Sequence, residues 1–413
     1  MVTACKNLLS CDSWIKLREK IYLVLLFSYI GIRIYNFSWL EFSSIIPGFD
    51  VFTTNFEYFV FPVILVALYI INLIIQKQYN YKIILTDVLI FAVFAIVALG
   101  TDYEYNVKCL SLAGFIICAD FTSFKNICKA FLLSVIPATL AVIFLSIIGW
   151  TGELVIIEGR FGRVAYNLGF IHYAIWARQF LFVFAAYLYV RGKKASWLEL
   201  GMTAVLSCVV FYYSTQRLTF IASGLFLVMF IIFVKCEAIK ITSKFIKFIS
   251  LIAAPVMMIV SIAMAWFYTP DNFILNKINS VTWGRLKLGN RAFEVIPLSL
   301  FGQDNAIFNI ALNKCTDTLK IDEYFFLDSG YLYMLFLSGI LISVITLIMY
   351  TYTHWKSCKI NDTALFVFIN ITLIYIFIDN PVHDISCCGV ALLAYKALLS
   401  CDKAVDKTKI NTI

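Results

Sequence analysis

An all-α, polytopic membrane protein is the fold class that this sequence predicts, and three observations predict it. Hydrophobic residues fill 62% of the 413 positions and charged residues only 14%, against roughly 45–50% and about 25% in soluble domains. About 10 to 12 apolar stretches approach the roughly 20 residues that a helix needs to cross a hydrocarbon core. Lys is concentrated in alternate connections between those stretches, as membrane orientation requires. The same composition excludes a soluble domain, a disordered chain, collagen, a coiled coil and a small disulfide scaffold.

In chain order the stretches run from 21 to 40, 58 to 75, 83 to 100, 109 to 119, 130 to 150, 171 to 190, 198 to 213, 218 to 234, 248 to 268, 329 to 350, 363 to 378 and 386 to 400. The fourth is short and Gly389 interrupts the twelfth. The first is too long for a secretory signal, lacks a small-residue cleavage site and is followed by more spans, so it reads as a span. Residues 1–413 thus form a single membrane domain, with one large external loop between helices 9 and 10, at about 269–328. Within it, Ile278 to Ile296 interleaves Val281, Trp283, Leu286, Phe293 and Ile296 with Arg285, Lys287 and Arg291. That pattern predicts a helix lying in the membrane interface.

Of the 33 cations, 21 fall in connections on the same side as the amino terminus, which places both termini in the cytoplasm by the positive-inside rule. Because topology accounts for this bias, the net charge of +8 is no nucleic-acid footprint, and no nucleic-acid partner is expected. The 12 Cys include no C-x-x-C pair and read as small buried hydrophobes. His172, His354 and His383 lie too far from any Cys cluster to suggest a metal site. No metal and no cofactor are expected.

Arg is distributed against the trend of Lys. Of nine Arg, only Arg18 and Arg191 fall on the cytoplasmic side; Arg33, Arg160, Arg163, Arg178, Arg217, Arg285 and Arg291 lie on the external side or in the outer half of a helix. Arg33 is expected to snorkel to lipid headgroups. Arg178 and Arg217 are flanked by apolar sequence, where a cation costs about 2.5–3.5 kcal/mol on insertion scales and is usually kept for a partner or a substrate. Guanidinium is planar, permanently charged and suited to bidentate contact with phosphate oxygens. The external face is therefore expected to bind an anion.

His172, in Gly-Phe-Ile-His-Tyr (169–173), follows Arg160 and Arg163 and opens the sixth span, a position for a general base or a hydroxyl ligand. Asp328 opens the tenth span, where an acid serves equally as a helix N-cap. Asp379-Asn-Pro-Val-His-Asp-Ile separates the last two spans, so His383 and Asp384 are expected to line the same cavity, since polar groups so dense between spans do not face lipid.

The order of Gly-Arg-Phe-Gly-Arg (159–163), Gly-Phe-Ile-His (169–172), Tyr-Ser-Thr-Gln-Arg-Leu-Thr (213–219), the long outer loop with Arg285 and Arg291, Leu-Asp-Ser-Gly-Tyr-Leu (327–332) and the polar knot before the last span resembles the Wzy-type polysaccharide polymerases of bacterial capsule, exopolysaccharide and O-antigen synthesis, relatives of the O-antigen ligases. The likeness covers mainly residues 150–400. It implies a GT-C-like membrane glycosyltransferase in the bacterial cytoplasmic (inner) membrane, which polymerises undecaprenyl-pyrophosphate-linked oligosaccharide repeat units on its outer face. It also implies membrane lipid, a flippase and a chain-length regulator as partners.

Breaking the bond from an anomeric carbon to a pyrophosphate calls chiefly for fixed positive charge on the leaving group. Arg160, Arg163, Arg217 and Arg291 are the expected pyrophosphate clamp. Arg178, Arg285, Tyr331 and Asp384 are further candidates for binding substrate. His172, Asp328 or His383 is expected to orient or deprotonate the acceptor hydroxyl. An O-antigen ligase shares this chemistry with a different acceptor. A lipid-linked oligosaccharide flippase is the alternative of another class, though paired broken helices and related halves are not visible in the sequence.

Overall fold

The computed structural model describes residues 11–40, 46–76, 81–100, 104–120, 122–150, 156–159, 163–282, 284–303 and 327–399. They form a helical bundle, α1 (Cys11–Asn36), α2 (Phe49–Asn55), α3 (Phe61–Gln76), α4 (Tyr81–Gly100), α5 (Glu104–Cys118), α6 (Phe124–Ile147), α7 (Tyr173–Arg191), α8 (Trp197–Ser214), α9 (Arg217–Phe230), α10 (Lys244–Trp266), α11 (Phe273–Val281), α12 (Arg285–Val295), α13 (Gly330–Tyr333), α14 (Ile340–Lys359) and α15 (Thr363–Ile378), closed by α16 (Val390–Leu399). π-Helical turns join α2 to α3 at Phe56–Val60 and α13 towards α14 at Met334–Ser338. One antiparallel hairpin, β1 (Ile156–Gly159) and β2 (Arg163–Tyr166), precedes α7.

Polar caps start the helices at the lysine-rich end, where backbone N–H groups have no intrahelical partner. The Ser123 hydroxyl accepts the Asn126 N–H at 3.2 Å, and Ser243 accepts that of Ile246 at 3.3 Å. Ser196 and Glu199 form a reciprocal capping box ahead of α8.

Apolar side chains face outward along these helices, Val63, Ile74, Leu85, Leu133, Val205 and Phe245 among them. A surface so apolar over so many helices needs lipid as its solvent. Among the described residues, seven helical segments are long and apolar enough to cross a membrane, Phe49–Ile75, Phe124–Ile147, Tyr173–Lys194 and Lys244–Trp266 among them. At the centre, α15 has no exposed residue and residues 382–398 are all buried, which explains why α15 is apolar on every face rather than on one.

The structure refines the twelve expected stretches. Those at 109–119, 363–378 and 386–400 are short apolar helices, Lys108–Cys118, Thr363–Ile378 and Val390–Leu399. The stretch from 329 to 350 is broken at Ser338–Gly339, between the π-helical turn and α14. The single interfacial helix expected over Ile278 to Ile296 is two helices, α11 and α12, because Gly284 takes a left-handed backbone (φ 83°) between them. Trp283 and residues 304–326 of the outer loop lie outside the described residues.

At the lysine-rich end two buried ion pairs tie distant helices together. Arg18 of α1 meets Asp120 at 2.8 Å, and Lys396 of α16 pairs with Asp87 of α4, which also accepts the Tyr69 hydroxyl of α3 at 2.8 Å.

Candidate functional site

The opposite end gathers the carboxyl ends of α1 and α15 and the amino end of α7. After α1, Phe37 to Leu40 run against the loop that precedes α7. Ser38 bridges Phe170, the Trp39 N–H donates to the Gly169 carbonyl at 2.8 Å, and the Ile171 N–H donates to Phe37 at 3.0 Å. Gly169 is required at that crossing, since its φ is 84° and a Cβ would meet the Val142 carbonyl at 3.0 Å and Ser146 at 2.9 Å. The motif Gly-Phe-Ile-His is thus a clasp between two helices, and it sets the entry angle of α7.

His172 is the N-cap of α7, its Nδ1 accepting the Ala174 N–H at 3.2 Å while the ring stacks on Tyr173 at 4.1 Å. An Nδ1 that accepts from the backbone puts the proton of the neutral ring on Nε2. Partial burial, with the nearby Arg178 charge reinforcing it against the opposing pull of Asp379, lowers the His172 pKa from its ordinary 6.5. The ring is therefore neutral at pH 7 and offers an N–H donor rather than an acceptor.

One and a half turns into α7, the Arg178 guanidinium is 3.9 Å from Asp379 Oδ2. That is attraction without a hydrogen bond, and the buried Arg178 Nε–H has no partner among the described residues. Asp379 is otherwise well held, by the Tyr375 hydroxyl at 2.9 Å and the Asn380 N–H at 2.9 Å. Tyr375 in turn meets the Thr219 hydroxyl of α9 at 3.1 Å. Arg33 lies beside this group with its plane over Phe37 at 4.0 Å, while Arg178 is 5.9 Å from the same ring. Arg33 binds Glu57 at 2.8 Å and approaches Asp384 at 3.6 Å. Asp384 accepts the backbone N–H and hydroxyl of Ser386 at 2.9 and 2.7 Å.

The end of α15 carries a second pair. Arg285 Nε donates to Asp328 at 3.0 Å and its Nη1 to the Ile378 carbonyl, one residue before Asp379. Gly330, in the Leu-Asp-Ser-Gly motif, lets α13 seat on this turn, because a Cβ there would overlap the carbonyls of Ile376 and Asp379. Below Arg285 a narrow pocket of about 60 Å³ runs between Leu218, Ser261, Met264, Leu286 and Leu332. It is an apolar slot with a guanidinium at its mouth.

The residues expected from sequence therefore separate. His172, Arg178 and Asp384 share the neighbourhood of Arg33 and Asp379, while Arg285 and Asp328 adjoin it through Ile378 and Leu327, whose carbonyl accepts from Asn380 at 3.4 Å. His383 turns away, its ring nitrogens on Thr346 at 3.1 Å and Cys109 at 3.6 Å in a buried setting. Tyr331 is buried with its hydroxyl on the Leu373 carbonyl at 3.2 Å. Arg291 pairs with Glu294 on the same helix. Arg217 is exposed at the start of α9, two residues before the buried Thr219. Arg163 begins β2, and Arg160 lies outside the described residues.

Arg33 corrects the expectation of a side chain that snorkels to headgroups: it is 4% exposed and held by Glu57. Asp379, Tyr375, Thr219 and Glu57 were not singled out from sequence. Glu57 did carry a signal, an acid at the start of a long apolar run, where charge needs a partner. Comparison with protein-family models, with curated proteins and with solved structures gives no match for this chain.

Proposed function

We propose that this protein is a glycosyltransferase that polymerises undecaprenyl-pyrophosphate-linked oligosaccharide repeat units on the outer face of the bacterial cytoplasmic membrane. One observation carries the proposal: the half-buried Arg178 guanidinium has a buried Nε–H with no partner among the described residues, and its counter-ion Asp379 stands 3.9 Å away, beyond hydrogen-bonding distance. A buried donor left open in a folded protein calls for an explanation, and a preorganised cation without a tight partner is what a departing diphosphate requires.

In this reading the Arg178 and Arg285 guanidinium groups hold the diphosphate, and the Nε2–H of His172 donates to one of its oxygens. The acceptor hydroxyl oxygen bonds to the anomeric carbon, the carbon–oxygen bond to the diphosphate breaks, and the bond pair leaves with the lipid diphosphate. Asp379, fixed by Tyr375 and Asn380, takes the hydroxyl proton. The narrow apolar pocket below Arg285 suits the first carbons of a lipid tail attached to an anionic head. The outer-face placement draws support from Lys193, Lys194, Lys235, Lys240, Lys244 and Lys247, all at helix ends or between them at the other end of the bundle.

The test is the product pattern in a strain dependent on this protein. Arg178→Ala, inserted at the normal level, is expected to accumulate single lipid-linked repeat units on the outer leaflet without long chains. Accumulation on the cytoplasmic leaflet would make the protein a flippase, and normal polymer would remove Arg178 from the reaction. Normal polymer with loss of its transfer to a lipid core acceptor would make it a ligase.

A further inference from the structure

A second pocket opens at the same end of the bundle, on the far side of the Arg33–Glu57 pair. Its accessible volume is about 260 Å³, just under the roughly 300–1,000 Å³ usual for small-molecule sites. Its wall combines aromatic rings with hydrogen-bonding groups: Trp39, Tyr35, Tyr58, Asn36, Asp50 and Lys108.

Three features define what it can hold. Trp39 is 49% exposed although its backbone is clasped to Gly169, so a large aromatic face is left uncovered at the pocket wall rather than tucked away. The charges nearly cancel, with Asp50 and Lys108 of opposite sign and Glu57 already committed to Arg33 and Asn36 at 2.8 and 2.7 Å. The polar groups are steered: Asp50 accepts the Tyr35 hydroxyl at 2.5 Å, and the Lys108 ammonium lies 5.6 Å from the Tyr58 ring. A diphosphate would find no surplus of positive charge here, and an acyl or prenyl chain would strand these polar groups.

A pyranose meets both demands. Its C–H face packs on an aromatic ring, whose negative face attracts the weakly positive hydrogens, and its hydroxyls donate to carboxylate and amide oxygens while accepting from ammonium. We infer that this pocket is a saccharide-binding subsite with Trp39 as its stacking platform. Its use as the seat of the acceptor glycan rests on the glycosyl-transfer reading above, whereas its saccharide chemistry is read from the pocket alone. The clasp at Gly169 joins Trp39 to the loop that ends at His172, so a sugar on Trp39 sits beside the loop that carries His172.

The experiment presents the full-length protein, labelled and reconstituted in lipid nanodiscs, to an array of bacterial oligosaccharides and polysaccharides, with empty nanodiscs as the blank. Saccharide binding is expected, weakened about tenfold or more by Trp39→Ala, the scale of losing one buried aromatic anchor. Trp39→Phe should restore most of it, and Trp197→Ala, at an exposed tryptophan of the lysine-rich end, should leave it intact. Absence of binding by the wild-type protein, or binding indifferent to Trp39→Ala, overturns the inference. Binding lost equally in Trp197→Ala places the sugar elsewhere and also overturns it. Because no lipid diphosphate takes part, the glycosyl-transfer reading can fail while this one stands.

Discussion

Replacing Arg178 by Lys separates a catalytic guanidinium from a structural one. Two unit charges 3.9 Å apart attract by about 4 kcal/mol at an effective dielectric of about 20. Desolvation offsets part of that, and both side chains keep some contact with solvent, at 12% and 17% exposed. Breaking a fully buried pair costs about 3–5 kcal/mol. Here Asp379 retains two hydrogen bonds, so Arg178→Ala should destabilise the protein by about 2–3 kcal/mol, at or below that range. Lys keeps the charge beside Asp379 and should recover most of that stability, measured as thermal unfolding in detergent. It cannot reproduce the planar fork that grips two phosphate oxygens. On the proposed glycosyl transfer, polymerisation per folded molecule should therefore fall about 10²–10³-fold in Arg178→Ala and remain at least about tenfold down in Arg178→Lys. Polymer made at the wild-type rate by Arg178→Lys would refute the reasoning, because a point charge would then suffice and Arg178 would be only the counter-ion of Asp379.

Further outcomes are open to measurement. Asp87→Asn and Lys396→Met should each lower stability by about 3–5 kcal/mol by stranding one buried charge, whereas the double variant should recover most of the loss; equal losses in all three would mean that the pair contributes by packing alone. Gly169→Ala should cost at least about 1–2 kcal/mol for its left-handed backbone and abolish polymer by misplacing His172 and Trp39, read from protein level and product length together. Because the His172 pKa is lowered in the folded protein, the folded state resists its protonation, and stability should decline as pH falls below about 6.5, where the unfolded chain takes up that proton. In His172→Asn, which can still cap α7, that decline should be shallower in a pH series of melting curves. An alkaline phosphatase reporter fused within 269–272 should be active and one within 240–243 inactive, and the reverse would invert the topology.

Composition and apolar run length were enough to read a helical membrane protein, because lipid leaves the backbone few other ways to satisfy its hydrogen bonds. Periodicity was less informative for the central segments. Helix α15 and residues 382–398 are surrounded by protein, so they lack the polar face that marks where a helix meets water. The break of the expected interfacial helix at Gly284 needed the backbone geometry, since glycine in a polar-apolar stretch is compatible with a continuous helix.

At the site, sequence could show that Arg was distributed unlike Lys, but not which Arg would meet which acid. Arg33 and Glu57 are 24 positions apart, and Arg178 and Asp379 come from helices far apart in the chain. Charge type is a property of a residue, and the sequence alone determined it, together with the solvent that each segment requires. Pairing is a property of distance. Only the folding of α1, α7 and α15 onto one end of the bundle decided that Arg33 is bound, His383 packed away and Arg178 left with an open N–H, because Coulomb attraction and hydrogen bonding act over a few ångströms whatever the separation along the chain.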